Sequence, residues 1–507
     1  MKHFILLVIF IIVALLGYTE SRRVAGFVFA DINENGLMNS GEKGIPNVCV
    51  SDGNTVVQTD SKGRWQIEKS ESNLFFVIKP SGYRVPVDAE MIPQHFQLLS
   101  PDKNQGQLSF PLELSDEKQS FSAIFFGDPQ ARGLKEVNYI NRDVVEELIG
   151  TTAAFGVSLG DITADGPELF HAINQGIAQI GIPWYNTFGN HDYDRGATTN
   201  DTRIASYQKV YGPATYAFEY GQVVFIDFND IYFKPDGKYI SHFTDAQINF
   251  LKNYLSFVPK DKLVVFMMHS PIVACDNKEK IFDLISDRKY TFSISGHVHE
   301  QINLFVDSLM GWKGSEPHHH LINGTVCGSW WCGALDEQNI PHATMNDGTP
   351  NGYSIIHFDG NSYRVQYKVA RRPENYQMNI YMADDVKMSE PKTREVLVNV
   401  FSGSERSVVE MKVSGTGKWV KMLPARVADP ECERMSQLSQ LLKQSVGGVV
   451  LEDVLGYAMD KPGISTHIWR AELPDQLTPG TYSLQVRTTD MFGKIWESSR
   501  IFRISEK

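Results

Sequence analysis

Five short polar motifs, each placed directly after an apolar run, constrain the fold of this chain more than any other feature. They are, in chain order, GDPQ at 127–130, GD at 160–161, GNHD at 189–192, a lone His269 after VVFMM, and GHVH at 296–299. Short apolar runs that end in turn residues predict β-strands. Because open α/β sheets place ligand sites at the carboxyl ends of their strands, the motifs predict a site at that edge.

The side chains in these motifs are ones that bind metal ions. They comprise two carboxylates, two amides and four histidines: Asp128, Asp161, Gln130, Asn190, His191, His269, His297 and His299. Oxygen and nitrogen donors of this kind suit two six-coordinate divalent ions, and Mn, Fe and Zn all fit. A lone histidine after an apolar run is more often a core residue, but five ordered motifs indicate one shared site.

The order of the motifs resembles that of the calcineurin-like metallophosphoesterases, whose pattern is D-x-H, G-D, G-N-H-D/E, H and G-H-x-H. The resemblance covers roughly residues 120–370. It implies one metal ion held by Asp128, Gln130, Asp161 and His299, and a second held by Asn190, His269 and His297 with Asp161 bridging. Gln130 departs from the family histidine, and a glutamine carbonyl is a weaker, neutral donor. Some members of the family carry glutamine at this position.

The resemblance also implies a mechanism. Two metal ions generate a bridging hydroxide and clamp the oxygens of the phosphate ester. His191 is then the expected general acid that protonates the leaving oxygen. A histidine in that role needs a nearby carboxylate to raise its pKa. Asp165 and Asp192 are the two candidates, and the sequence leaves the choice between them open.

Four further residues are candidates for contact with a small phosphate-ester substrate. Arg195 follows GNHD and has the guanidinium geometry that pairs with phosphate, although a solvated loop arginine is the simpler interpretation. His318 and His320, in HHHLINGTVCGSWWCG, are expected to flank the metal centre. Trp330 either forms a wall of the leaving-group pocket or packs in the core.

The segments before and after the motif-containing region differ from that region in their sequence pattern. Residues 24–115 and 371–507 contain short alternating β-branched runs between turns, which predict all-β modules. The first resembles transthyretin-like or B-repeat-like modules, and the second an immunoglobulin-like β-sandwich. Residues 116–370 alternate strands and helices, and Thr244 with Gln247 predicts a capping box at the start of one helix. With the resemblance, this predicts a multi-domain chain with a central four-layer α/β/β/α sandwich and all-β domains at both ends.

One loop of the first module matches a calcium-binding pattern. The sequence from Asp31 to Glu42 fits D-x-[DN]-x-[DN]-G-x5-E. The candidate ligands are Asp31, Asn33, Asn35, Asn39 and Glu42. Because the flanks read as strands, the loop is not an EF-hand. It is either a structural calcium site in a β-sandwich or a turn rich in Asn and Gly.

The N-terminus predicts export. Residues 4–16 form a 13-residue apolar stretch after Lys2, too short for a membrane span of about 20 residues. A signal peptide at 1–20 fits better, and it predicts a periplasmic or secreted protein with no stable membrane span after cleavage. The net charge of −12 disfavours a nucleic-acid partner. The oligomeric state is left open.

The leading functional hypothesis is an exported dinuclear-metal hydrolase of phosphate mono- or diesters. A pyrophosphate hydrolase acting on a nucleoside-diphosphate derivative is the first alternative, because glutamine at the first motif occurs among such enzymes. A non-catalytic surface-binding protein is the second, and it predicts no bound transition metal. Purple acid phosphatase chemistry is disfavoured, because Ala164 occupies the position of that subgroup's metal-binding tyrosine.

Overall fold

The structure is a computed structural model that describes residues 23–68, 72–99, 108–446, 448–452 and 456–505. The predicted signal peptide at 1–20 lies outside the described residues. Within the described ranges, no helix combines the length and the apolar character that crossing a membrane requires.

The N-terminal module consists of two four-stranded sheets. In spatial order the first contains Arg64–Glu68, Arg23–Ala30, Leu108–Leu114 and Tyr83–Arg84, and the second contains Val56–Gln58, Cys49–Ser51, Leu74–Val77 and Phe96–Leu98. Trp65, Phe75 and Phe110 are buried in its core. The predicted all-β character of this segment is confirmed.

The central domain is built on two larger sheets. The five-stranded sheet has the order Trp184–Asn186, Phe155–Ser158, Ser120–Phe126, Gly352–Asp359 and Ser362–Val369. The six-stranded sheet has the order Tyr216–Tyr220, Val223–Phe228, Leu263–Met268, Thr291–Ser295, His318–Ile322 and Ile302–Val306. Within each sheet the strands that precede the motifs run parallel to one another, and Ser120–Phe126 also pairs antiparallel with Gly352–Asp359.

Alternation along the strands determines which side chains face the partner sheet. Phe125 packs with Phe155 and Phe225 in the core between the two sheets. Its neighbours Ile124 and Phe126 point the opposite way and join a second core beneath the helices. The central sandwich therefore has two sheets in the middle and helices on the outside, as predicted.

Seven of the described α-helices lie in the central domain and one lies in the C-terminal domain. The α-helices are Leu134–Ile140, Glu146–Leu148, Phe170–Ile177, Asn200–Arg203, Ala205–Tyr211, Asp245–Leu255, Lys278–Ile285 and Pro430–Ser439, and a π-helical turn at Asn141–Val145 joins the first two. Shorter 3-10 turns are Pro167–Leu169, Ala178–Ile180, Ile272–Ala274, Ser308–Met310, Pro391–Arg394 and Gln440–Lys443. The predicted capping box is present, because the Thr244 and Gln247 side chains each accept the other's backbone N–H.

The C-terminal domain is a second β-sandwich. One sheet contains Met378–Tyr381, Glu395–Val400, Ile468–Glu472 and Leu423–Ala425, and the other contains Asp385–Lys387, Ile495–Ser505, Gly480–Thr489, Val408–Val413 and Val420–Lys421. Two small hairpins complete the fold, Ile231–Phe233 with Tyr239–Ser241 and Ser445–Val446 with Val449–Val450. Val398, Trp469 and Phe502 are buried between the two C-terminal sheets.

Candidate metal centre

The five motifs occupy loops at the carboxyl ends of five central strands. GDPQ follows Ser120–Phe126, GD follows Phe155–Ser158, GNHD follows Trp184–Asn186, His269 follows Leu263–Met268, and GHVH follows Thr291–Ser295. The first three strands belong to the five-stranded sheet and the last two to the six-stranded sheet. The site therefore lies at the edge where the carboxyl ends of these strands from both sheets meet.

Three predicted ligands lie around the ring of a fourth, His269. Its Nε2 lies 3.0 Å from Asn190 Oδ1, 3.3 Å from Asp161 Oδ2 and 3.1 Å from His297 Nδ1. The ligand atoms of Asp161, His269 and His297 all lie within 4.8 Å of one another. The Leu159 carbonyl accepts the Nδ1–H of His269 at 2.8 Å. With its proton held there, a neutral ring directs the Nε2 lone pair at the neighbouring oxygens.

The Asp128 and His299 side chains repeat this arrangement. His299 donates its Nδ1–H to the Gly328 carbonyl, and its Nε2 lies 3.3 Å from Asp128 Oδ2. That carboxylate oxygen is buried and has no hydrogen-bond partner among the described residues. A lone pair and a carboxylate oxygen repel at this distance unless a cation lies between them.

The pKa values of both histidines are raised, which shows that their surroundings favour a positive charge. Burial alone would lower the pKa of His269, but the Asp161 carboxylate outweighs it and raises that pKa to about 10. Burial likewise opposes the charged form of His299, yet Cys327 and Asp128 raise its pKa well above the ordinary value. Buried charges are stable only when paired or when they coordinate a metal. The donor set therefore fits divalent ions at both positions.

The predicted ligand Gln130 directs its amide nitrogen at Asp161, and its amide oxygen lies on the side of Cys327. Its Nε2 donates to Asp161 Oδ2 at 3.1 Å, and its Oε1 lies 3.6 Å from Cys327 Sγ. Ligation through Oε1, as predicted, requires the amide to turn over, which brings Nε2 to the cysteine sulfur. The departure from the family histidine thus changes the geometry as well as the donor strength.

Backbone strain is concentrated at the predicted ligands. Asp128, Gln130, Asp161, His297 and His299 all have positive φ, between 34° and 74°. Residues other than glycine rarely adopt this conformation, which costs on the order of 1–3 kcal/mol each and persists where the surrounding structure enforces it. Strain of this kind is typical of functional sites.

His191 is held by a backbone carbonyl. The Ala164 carbonyl accepts its Nδ1–H at 2.5 Å, so proton transfer to a leaving group falls to Nε2. Asp165 pairs with Arg195 at 2.8 Å, and Asp192 accepts the backbone N–H groups of Thr163 and Gly189. Among the described residues the partner of the His191 ring is therefore neither predicted carboxylate, which corrects that expectation.

Models of known protein families match three parts of the chain. Three family models match: N terminal of Calcineurin-like phosphoesterase at residues 32–115, Calcineurin-like phosphoesterase at 122–301, and C terminal of Calcineurin-like phosphoesterase at 320–496. The chain belongs to the calcineurin-like phosphoesterase family. It is therefore a metal-dependent phosphoesterase by family, and phosphate esters are the substrate class that the family implies.

Two solved structures share a weak likeness with this phosphoesterase. A purple acid phosphatase from yellow lupin (Lupinus luteus) seeds is 12% identical over 70% of this chain and 68% of that chain, with a TM-score of 0.35. The Clostridium perfringens spore cortex lytic enzyme SleM is 9% identical over 77% and 99%, with a TM-score of 0.19. Neither likeness is strong enough to carry an argument. Among curated proteins, none matches the chain.

The predicted substrate residues of the phosphoesterase divide into two groups. Trp330 stacks on His299 with ring centroids 4.2 Å apart, so it lies at the metal centre. Arg195 forms an ion pair with Asp165, which directly follows the residue whose carbonyl holds the His191 ring.

His318 and His320 are buried in the six-stranded sheet and hydrogen-bond to Ser293. Burial lowers the pKa of His318 to about 3, so its ring is neutral. The expectation that these two histidines contact substrate is corrected, because their strand carries them into the sheet interior.

Three residues that support the metal centre escape prediction from sequence. Asp230 accepts the backbone N–H of His269 at 3.2 Å and is fully buried. Cys327 contacts Gln130 and His299, and Tyr239 lies edge-on to His297. The one usable signal was an aspartate just after the apolar run VVFIDF, where a buried carboxylate needs a reason.

The candidate calcium loop closes on its own backbone. Asp31 accepts the N–H groups of Asn35 and Gly36, and Glu42 accepts those of Ile32 and Asn39. The calcium assignment stays a prediction. All five cysteines are free thiols in this structure, Cys327 and Cys332 included.

Proposed function

We propose that this protein hydrolyses phosphate mono- or diesters at a dinuclear metal centre formed by the motif residues. The observation that carries the proposal is the pair of buried histidine Nε2 atoms, on His269 and His299, that each lie 3.3 Å from a carboxylate oxygen. Among cations, divalent ions of the Mn, Fe or Zn type suit these nitrogen and oxygen donors. When bound, such ions would supply a nucleophile from water and compensate the charge of the phosphate.

Charge balance supports an anionic substrate. Asp128 and Asp161 are the two carboxylates among the predicted ligands, and both are almost fully buried. Two carboxylates leave much of the charge of two divalent ions uncompensated, so the centre attracts phosphate oxygens. Arg195 is half-exposed and pairs with Asp165, which directly follows the residue that holds the His191 ring.

His191 is the proposed acid for the leaving group. Its backbone N–H donates to Asp161 Oδ1 at 2.8 Å, and its ring is anchored at Nδ1 by the Ala164 carbonyl. Two anchors on one residue fix the direction of Nε2. A positioned histidine of this kind contributes about 10²- to 10⁴-fold to a hydrolysis rate.

We also propose that the protein is exported. The support is the short apolar stretch at 4–16, which has the length of a signal-peptide core. Amino-terminal sequencing of the protein recovered from its source cells gives the test. A mature chain that begins near residue 21 supports export, and an intact residue 1 contradicts it.

The function is tested with protein that lacks residues 1–20, supplied with Mn²⁺. The assay compares p-nitrophenyl phosphate with bis-p-nitrophenyl phosphate, and Asp161→Asn is compared with the matched control Asp261→Asn, an exposed carboxylate just before the strand Leu263–Met268. We expect turnover that Asp161→Asn abolishes and the control retains, and the ratio of the two rates assigns monoester or diester specificity.

Two other outcomes separate the alternatives. Two bound ions without turnover of either ester indicate a pyrophosphate substrate, which a nucleoside-diphosphate derivative then tests. A protein that binds no metal ion and turns over neither ester contradicts the proposal, and this outcome supports a non-catalytic binding protein.

A further inference from the structure

The C-terminal domain contributes a buried histidine to the catalytic domain. His467 precedes the strand Ile468–Glu472 and has no exposed surface. Its Nε2 lies 2.9 Å from Asp347 Oδ2, and its Nδ1 lies 2.8 Å from Asn399 Oδ1. Asp347 is buried as well.

The hydrogen bonds of Asn399 fix the direction in which the His467 ring donates. Asn399 donates through Nδ2 to the Asp347 backbone carbonyl at 3.1 Å, and a carbonyl can only accept. Asn399 Oδ1 is therefore an acceptor, and His467 must donate to it from Nδ1. A further proton lies between His467 Nε2 and Asp347 Oδ2, so the two side chains are joined by a hydrogen bond.

The same carboxylate holds the loop of the last motif. Asp347 Oδ2 accepts the backbone N–H of Gln301 at 2.7 Å, and Gln301 is two residues after His299. Gln301 Oε1 in turn accepts the N–H of Gly324 at 2.5 Å. That second bond ties the motif loop to the segment that ends in Gly328.

Gly328 closes the connection to the metal centre. Its carbonyl accepts the Nδ1–H of His299 and so fixes the tautomer and direction of that ring. Thr325 Oγ1 donates to the same carbonyl at 2.9 Å. Gln301 therefore joins the loop that contains His299 to the segment that contains Gly328, which holds the His299 ring. Gln301 is in turn held by Asp347, whose side chain contacts His467 of the C-terminal domain.

We propose that His467 is a positioning residue for the metal ligand His299, which makes the C-terminal β-sandwich part of the catalytic unit. The inference rests on the proposed function, because it assumes that His299 binds an ion. Without the imidazole, the buried Asp347 side chain loses the hydrogen-bond partner that holds it in place. It is then expected to shift or to draw in water, which weakens its hydrogen bond to the Gln301 N–H.

The test measures Mn²⁺ binding to the full chain by isothermal titration calorimetry, with wild type, His467→Ala and His467→Gln. The matched control is His95→Ala, which removes another buried histidine, one that packs between Tyr185 and Tyr216. We expect His467→Ala to weaken one of two binding steps by about 10- to 100-fold, the usual effect of losing an outer-shell partner. His467→Gln, which keeps one hydrogen bond to Asp347, should recover part of the loss.

The outcomes are distinguishable. Two unchanged binding steps in a folded His467→Ala protein overturn the positioning role but leave the proposed function standing. Wild-type protein that binds no ion overturns the proposed function itself. If His467→Ala does not fold, His467→Gln decides: a weakened step supports the role, and binding equal to wild type and the His95→Ala control overturns it.

Discussion

The buried histidines of the metal centre should make metal affinity steeply dependent on pH. His269 carries a proton below its pKa of about 10, and metal binding needs the unprotonated Nε2. At neutral pH the ring is mostly protonated, and each further pH unit below the pKa lowers the fraction that is ready to bind by about tenfold. Affinity therefore falls as pH falls, by about 100-fold from pH 8 to pH 6 for each proton displaced.

The same reasoning sets the number of protons released. His299 also has a raised pKa, so each of two ions should displace about one proton at neutral pH. Calorimetric titration with Mn²⁺ in two buffers of different ionisation enthalpy counts these protons. The contrary result is metal binding that releases no proton and keeps the same affinity from pH 6 to pH 8. That result would refute the argument that protons and metal ions compete for the Nε2 atoms of these histidines.

Three substitutions test the other parts of the site. His191→Gln should lower kcat by about 10²- to 10⁴-fold with metal content unchanged, measured by steady-state kinetics and elemental analysis; normal kcat removes it as the acid. Asp230→Ala leaves the buried amides of His269 and Ser270 without their acceptor and should destabilise by about 1–3 kcal/mol per amide in urea unfolding. An unchanged unfolding midpoint would contradict that support. Trp330→Ala should raise KM for aryl esters by about 2- to 10-fold, and equal KM values would show that the ring does not contact the leaving group.

The sequence predicted the elements that depend on local pattern. Strands and motif loops follow from apolar runs that end in turn residues, and the Thr244–Gln247 capping box is a local exchange of hydrogen bonds. The ligand set followed from the order of the motifs and their resemblance to one family. Each of these signals lies within a few residues of the feature that it predicts.

The errors arose where the deciding partner is distant in sequence or is backbone. The Ala164 carbonyl that holds His191 has no side-chain signature, so two carboxylates were expected instead. His318 and His320 look free in sequence, but Ser293 on the neighbouring strand fills their hydrogen-bonding needs. The amide direction of Gln130 depends on Cys327, almost 200 residues away, and periodicity carries no information about such contacts.

The most direct test of the dinuclear centre is anomalous diffraction from crystals of the protein grown with Mn²⁺. The account predicts two peaks about 3.5–4 Å apart. The Asp161 carboxylate should lie between them, with His269 and His299 Nε2 directed at separate ions. A single peak, or Asp128 in direct contact with His299 and no ion nearby, would contradict it.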